Sequence, residues 1–445
     1  MKMGAEPVVD GMNRMRRVLV FPGGTEIGLE IHASLQHCRN VELHAAGADV
    51  WSHARYAFRD YHVVADVGEE CWHEQLQDLC RRMQIDYIYP AHDDVIVALA
   101  RQPQGLPVII APSREACEMT RSKRATYDAL RGIVDVPELY DPDDGFDAFP
   151  VFIKPDRGQG ARGAKRIDSQ QALELAILET RDPIVCEYLP GAEYTVDCFS
   201  SQEQGLLFAQ ARRRKVTRNG ISVNSVTVDL PEAWDWAVRI QQKLGLRGAW
   251  FFQLKRAENG SCKLLEVAPR IAGAMAVHRV CGVNFPLLSI LEREGGSLRI
   301  CRNKGRVEVS RSLNNRYRHQ ISFDEVIVDL DDTLIISGRV NVQLVAFLFS
   351  CVNVGKRTVL LTRHAGDLSA TLRKHRLSEL FDQVIHVSDG TKKSAHVAPQ
   401  RAIFVDDSFS ERMDMMSVHG IPSFDCSMLE LLSGQAENLW FDEAR

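Results

Sequence analysis

The sequence predicts an α/β chain with more than one sheet, and two observations carry that expectation. Short apolar runs rich in β-branched residues recur and end in glycine or charged clusters, as strands do when they feed turns and helices. In the middle of the chain two such runs, Phe251-Phe252-Gln253-Leu254 and Leu264-Leu265-Glu266-Val267-Ala268, read as adjacent strands. A length of 445 residues suggests two to four domains. With 45% apolar and 25% charged residues the composition is that of an ordinary soluble protein. The formal charge of −5 gives no reason to expect a nucleic-acid partner. Eleven cysteines without a C-x-x-C read as reduced thiols, and the N-terminus lacks the apolar core of a signal peptide, so a cytoplasmic protein is expected. The longest apolar stretch, residues 340–354, holds Asn341, Gln343 and Asn353. It is short for a membrane span and predicts a core helix, and no membrane partner is expected.

The first third alternates strand and helix. Arg17-Val18-Leu19-Val20-Phe21 reads as a strand, followed by a glycine cluster at residues 22–28 and an amphipathic run over residues 29–38. The cluster lacks the G-x-G-x-x-G spacing of a dinucleotide turn, and glycine there also suits a tight strand-to-helix turn. A second strand, Asp86-Tyr87-Ile88-Tyr89, leads into Pro90-Ala91-His92-Asp93-Asp94, a polar cluster that fits a site or a solvated loop equally. Residues 1–15 read as a tail and 16–115 as a Rossmann-like layer.

The middle third is richer in chemistry. Phe149-Pro150-Val151-Phe152-Ile153-Lys154 sets a lysine at the end of an apolar strand. A glycine loop with Gly158, Gly160 and Gly163 follows, able to fold its backbone N–H groups over phosphates. Residues 183–194 carry Glu187 and Glu193 on either side of a turn. The two adjacent strands would present Gln253, Glu266 and Arg270 at neighbouring positions. A basic run, Arg212-Arg213-Arg214-Lys215 with Arg218, falls between expected strands. It reads either as a receptor for a carboxylate or phosphate substrate or as a solvated hairpin. Gly273 and His278, just beyond Arg270, are further candidates for substrate recognition.

This succession resembles the ATP-grasp superfamily, closest to its carbamoyl-phosphate-synthetase-like group, with residues 16–115 as the pre-ATP-grasp layer and 116–318 as the ATP-grasp α+β lobes. The resemblance implies roles. Lys123 and Lys154 would clamp the ATP phosphates, and the loop of Gly158, Gly160 and Gly163 would close on them. Glu187, with the backbone of Tyr188 and Leu189, would face adenine, and Glu193 the ribose. Gln253 and Glu266 would ligate Mg²⁺, and Arg270 would meet the transferring phosphoryl group. The family pattern E-x-N-P-R appears here as Glu266-Val267-Ala268-Pro269-Arg270, so Ala268 supplies no second-metal ligand.

Near the C-terminus Val326-Ile327-Val328 delivers Asp329, Asp331 and Asp332 to a strand end. Open α/β sheets place ligands there, and crowded carboxylates call for a hard cation such as Mg²⁺. A second run ends in Thr362, and a third, Ala402-Ile403-Phe404-Val405, ends in Asp406 and Asp407. Lys392 and Lys393 lie between them, after a turn and at the expected start of a helix. The order resembles the haloacid dehalogenase (HAD) superfamily of phosphohydrolases over residues 319–445, as a Rossmannoid domain. By that resemblance Asp329 is the nucleophile and Asp331 the acid and base. Thr362 holds the phosphoryl oxygens, and Lys393, or alternatively Lys392, neutralises charge. Asp406 and Asp407, with Asp329 and Asp331, form the metal set. Roughly thirty residues separate Asp329 from Thr362, and again Thr362 from Lys393, enough for about one helix and one strand and no cap domain.

Together these readings give a bifunctional enzyme using ATP and Mg²⁺: a ligase joining a small-molecule carboxylate to an amine, and a phosphatase acting on a phosphorylated metabolite. Two other readings stay open: a kinase or carboxylase coupled to a nucleic-acid-end phosphatase, and a nucleotide sensor whose ATP-grasp half is not catalytic. A homo-oligomer is compatible with all of them.

Overall fold

The computed structural model describes residues 14–142, 149–158, 160–313, 317, 319 and 321–432. Nearly all of the expected N-terminal tail and Gln159 of the glycine loop lie outside the described residues. The chain forms two compact units, Met1–Leu313 and Asn314–Arg445.

The first unit begins with a parallel sheet in the order Tyr61–Val63, Val41–Gly47, Arg16–Phe21, Tyr87–Pro90, Val108–Ile109. Val18, Leu19 and Val20 are fully buried because the central strand is covered on both faces. The helix after it runs Glu26–Leu35, three residues earlier than the apolar periodicity suggested, because Thr25 caps it by accepting from the Gly28 N–H. Glycine is required at position 28. A Cβ there would lie 2.5 Å from the Gly23 carbonyl oxygen. The Thr25 hydroxyl also donates to the Ala91 carbonyl at 2.9 Å, tying the turn after the first strand to the turn after Tyr87–Pro90.

Two antiparallel sheets follow. The smaller has the order Leu139–Tyr140, Pro183–Glu187, Val151–Pro155, Lys165–Ile167, with the helix Gln170–Glu179 burying Leu173 and Ala176 against Val151 and Ile153. The larger has six strands: Cys262–Ala268, Gly248–Arg256, Glu193–Ser201, Gly205–Arg218, Ile221–Val228 and Glu308–Ser310. Its core packs Trp250 and Phe252 on Trp236, Ala237 and Ile240 of the helix Glu232–Leu244.

One expectation changes here. The basic run lies within the strand Gly205–Arg218, not between strands, and the turn is at Asn219-Gly220, both with positive φ. Strand alternation explains it: Arg212 and Arg214 face one side and find carboxylates of the neighbouring strand, while Arg213 and Lys215 are exposed on the other, Lys215 pairing at the surface with Glu308 at 2.7 Å.

The second unit is a parallel sheet in the order Gln383–His386, Arg357–Thr362, Glu325–Val328, Ala402–Val405, Ser423–Phe424. The apolar stretch becomes the helix Val342–Asn353, burying Leu344, Phe347, Leu348 and Cys351. No described helix is long and apolar enough to cross a membrane. Between Asp329 and Thr362 the chain forms a two-stranded hairpin, this helix and a strand; between Thr362 and Lys393, one helix and one strand. Lys393 opens only a short 3₁₀ turn, Lys393–His396, in place of the expected helix.

Candidate functional site

Each unit gathers charged side chains at strand ends. In the first, two cavities of about 660 and 240 Å³ are both lined by Lys123, Gly158, Gly160, Arg214, Gln253 and Glu266, so they adjoin. Lys154, Glu187, Leu189 and Glu193 line the smaller part. Asp93, Arg212, Arg270 and Gly273 line the larger.

The strand Val151–Pro155 carries Lys154 into the interior, where its Nζ donates to the Tyr127 hydroxyl at 2.7 Å. That hydroxyl donates in turn to the Leu265 carbonyl at 2.7 Å. Burial pushes Tyr127 up to about 12, so it stays protonated at neutral pH and offers Lys154 a lone pair. Lys123, at the start of the helix Lys123–Leu130, donates to the carbonyls of Pro155, Asp156 and Gly158 at 3.3, 3.1 and 3.4 Å. Burial lowers its pKa, opposed by Glu266 and reinforced by Lys154. Gly160 and Gly163 take positive φ, and the hairpin tip approaches so closely that a Cβ on Gly220 would lie 2.3 Å from the Gly160 carbonyl carbon.

The strand register sets Gln253 opposite Glu266. Arg214 donates to Gln253 Oε1 at 2.6 Å, pairs with Glu193 and donates to the Gly220 carbonyl. Glu187 accepts from the Glu138 N–H at 3.4 Å and lies 3.6 Å from Lys263. The Tyr188 ring lies under the Arg166 guanidinium, 4.8 Å from it, while Leu189 is buried. Glu266 and Gln253 offer the hard oxygen donors Mg²⁺ prefers, and buried Ala268 adds none. The donor set therefore fits one such ion completed by water or phosphate oxygens.

Arg270 is held by Asp93 through two bonds, Nε to Oδ1 at 2.6 Å and Nη2 to Oδ2 at 2.8 Å. Burial would raise Asp93, but the Arg270 charge outweighs it and keeps the carboxyl below its usual range. The polar cluster after Tyr87–Pro90 thus belongs to the cavity. Sequence reasoning did not pair these residues, which are 177 positions apart.

Two substrate candidates are placed differently from expectation. His278 is fully buried, with Nε2 2.9 Å from Asp197 Oδ2, and is not among the cavity-lining residues. Arg212 lines the cavity but is only 3% exposed, its Nε donating to Asp197 at 2.7 Å. Both serve a buried charge cluster, since an ionised Asp197 needs partners away from water. Gly273 instead borders an ion pair, Arg311 to Glu26 at 2.6 Å, and a Cβ on it would lie 3.2 Å from the Arg311 Nη2. Neither Arg311 nor Glu26 was marked by any motif.

In the second unit Lys393, 4% exposed, donates to Asp329 Oδ1 and Asp406 Oδ2, both at 2.6 Å. Lys392 is exposed and pairs with Asp414 at 3.1 Å. Burial pushes Asp329 up to about 6 against the pull of Lys393, and burial likewise raises Asp406. One oxygen each of Asp329, Asp406 and Asp407 lie within 4.8 Å of one another, a carboxylate trio that suits a hard divalent cation. The Asp331 carboxylate is not part of this trio. It is bonded to His364 Nδ1 at 2.9 and 3.0 Å. Thr362 is fully buried at its strand end, its hydroxyl accepting from the His364 N–H at 3.2 Å. Thr333, the last residue of D-x-D-x-T, accepts from the Asp407 N–H at 2.9 Å and lies 3.3 Å from Asp329 Oδ2.

Comparison with known proteins bears on the first unit. Residues 179–321 match a family model described as ATP-grasp in the biosynthetic pathway with Ter operon. No curated protein matches the sequence. Among solved structures, the chain resembles the biotin carboxylase domain of the Hydrogenobacter thermophilus 2-oxoglutarate carboxylase, solved with MgADP, ADP and bicarbonate. The TM-score is 0.58 at 17% identity, covering 66% of this chain and 74% of that one. Rhizobium etli pyruvate carboxylase gives 0.54 at 16% identity over 64% of this chain, which spans only 29% of that enzyme. The L-amino acid ligase of Bacillus licheniformis gives 0.51 at 15% identity, covering 62% of this chain and 74% of that one. Residues 179–321 are thus similar to an ATP-grasp family model, and the chain shares its fold with these solved structures.

Proposed function

We propose that the first unit is an ATP-dependent carboxylate–amine ligase using Mg²⁺. The observation that carries the reading is the pair of adjoining cavities beside a glycine loop, one lined by Lys154, Glu187 and Glu193, the other by Arg270, and both by Lys123, Gln253 and Glu266. In this reading residues 16–115 support the layer bearing Asp93, and 116–318 hold the nucleotide. Glu187 and Leu189 border the base and Glu193 the ribose, while Lys123, Lys154 and the glycine loop hold the phosphates. Gln253 and Glu266 would hold Mg²⁺, which when bound neutralises phosphate charge. Arg270, oriented by Asp93, faces the charge that develops as the γ-phosphoryl group passes to the substrate carboxylate. An amine then attacks the acyl carbon, inorganic phosphate leaves, and an amide bond forms. ADP release requiring both a carboxylate and an amine is the expected signature, lost in Lys154→Ala and kept in Asp329→Asn. ADP release that persists in Lys154→Ala would remove the reading.

For residues 319–445, within the second unit, we propose an HAD-type phosphatase acting on a phosphorylated metabolite. Lys393 bridging Asp329 and Asp406 is the observation behind it. Asp329 would attack phosphorus, Lys393 would balance the charge, and Thr362 would hold phosphoryl oxygens. Asp329, Asp406 and Asp407 would hold Mg²⁺, whose charge when bound eases the approach of one anion to another. Hydrolysis of p-nitrophenyl phosphate should vanish in Asp329→Asn while ligase turnover remains. Equal hydrolysis by wild type and Asp329→Asn would exclude this unit as its source.

A further inference from the structure

We propose that His364 is the positioning residue for Asp331 in the second unit, a role that rests on the phosphatase reading above. Asp331, in an isolated β-bridge with Ile335, has a half-exposed side chain, and such a carboxylate normally samples several rotamers. Here both of its oxygens meet one ring nitrogen, His364 Nδ1, at 2.9 and 3.0 Å. That ring is fixed at its other end by the Thr371 hydroxyl, 2.9 Å from Nε2. The His364 backbone is fixed as well. Its N–H donates to Thr362 Oγ1 at 3.2 Å, and its carbonyl accepts from His386 Nε2 at 2.7 Å. The imidazole is only 16% exposed although Asp331 is 52% exposed, so the rigid partner of the pair is the histidine. An ionised carboxylate only accepts, so the hydrogen bond to Asp331 takes Nδ1 as its donor, with Nε2 facing the Thr371 hydroxyl.

The chemistry gives this contact a use. As a carboxylate oxygen of Asp329 bonds to phosphorus, the bond from phosphorus to the leaving oxygen breaks, and that oxygen takes a proton from Asp331. Asp331, now a carboxylate, then takes a proton from water, whose oxygen bonds to phosphorus. The phosphorus–Asp329 bond breaks and inorganic phosphate is released. His364 exchanges no proton with substrate; it holds the group that does. Through Thr362 the same residue also joins the proton-transfer side chain to the residue that would hold the phosphoryl oxygens.

The test compares p-nitrophenyl phosphate, whose leaving group needs little protonation, with glycerol 2-phosphate, whose alkoxide needs a proton. General acid catalysis is worth 10²–10⁴-fold, so losing the positioning part of it in His364→Ala should lower kcat on glycerol 2-phosphate by about tenfold. The loss on p-nitrophenyl phosphate should be about twofold to threefold, with KM unchanged on both. His364→Asn, which keeps an N–H donor, should recover most of the difference. In an Asp331→Asn background His364→Ala should cost nothing further, because both act as one unit. Thermal melts of each variant separate misfolding from this effect. An equal fall on both esters, or an undiminished loss in the Asp331→Asn background, would overturn the role of His364. If wild type hydrolyses neither ester, the phosphatase reading fails and His364 loses this role with it.

Discussion

A buried lysine needs a partner, and Lys154 has one in the Tyr127 hydroxyl, which is itself anchored on the Leu265 carbonyl. Tyr127→Phe removes the acceptor while keeping the ring that packs against the ammonium. Such a bond is worth about 1 kcal/mol net, so ATP affinity should fall roughly fivefold, measurable by calorimetric titration. An unchanged affinity would mean Lys154 is aimed by packing alone. Lys154, Glu193, Gln253 and Glu266 were legible in the sequence because each punctuates an apolar run. Tyr127 was not, and Asp93 showed only as part of a polar cluster, because their partners are brought near only by folding. The motif favoured Lys393 and kept Lys392 as an alternative, and burial distinguishes them: Lys392 pairs at the surface, while Lys393 bridges two buried carboxylates.

At the scale of elements, the strand Glu193–Ser201 joins its neighbours partly through charge. Asp197 on it meets Arg212 on the strand Gly205–Arg218 and His278 on the helical turn Ala276–Arg279. Burial would raise the Asp197 pKa, but Arg212 and the His278 bond hold it below the usual carboxylate range. A lowered folded-state pKa means the unfolded chain binds the proton more readily. The stabilisation is therefore complete above the unfolded value of about 3.9 and is lost as pH falls through the folded value. Asp197→Ala strands a buried arginine and should cost about 3–5 kcal/mol, seen in denaturant melts at neutral pH, with the difference from wild type shrinking in acid. A loss below 1 kcal/mol would show that the cluster is already compensated. The apolar strands here were readable from periodicity. The charged half of Gly205–Arg218 was not, because its arginines are paired from other strands and hide the alternation. The short turn at Lys393 was likewise read as a helix, since sequence marks where a turn begins better than how soon it ends.

At the scale of the whole molecule, two compact units each bring lysine and carboxylates together, and in the second they gather at the carboxyl ends of parallel strands, where open sheets accept ligands. The alternation of strands and helices made both units visible in outline, and the spacing around Thr362 left no length for a cap. Substrate identity was not legible, because the larger cavity is walled by turns and ion pairs such as Glu26–Arg311 that no nucleotide motif encodes. The central claim is that the first unit binds Mg-ATP through Lys154. It is tested most directly by titrating Mg-ATP into the Asp329→Asn protein, which lacks the proposed phosphatase nucleophile, with and without Lys154→Ala. One saturable site is expected, with Lys154→Ala weakening it at least about tenfold, or 1.4 kcal/mol. Absence of binding, or equal affinity in the two proteins, would contradict the account.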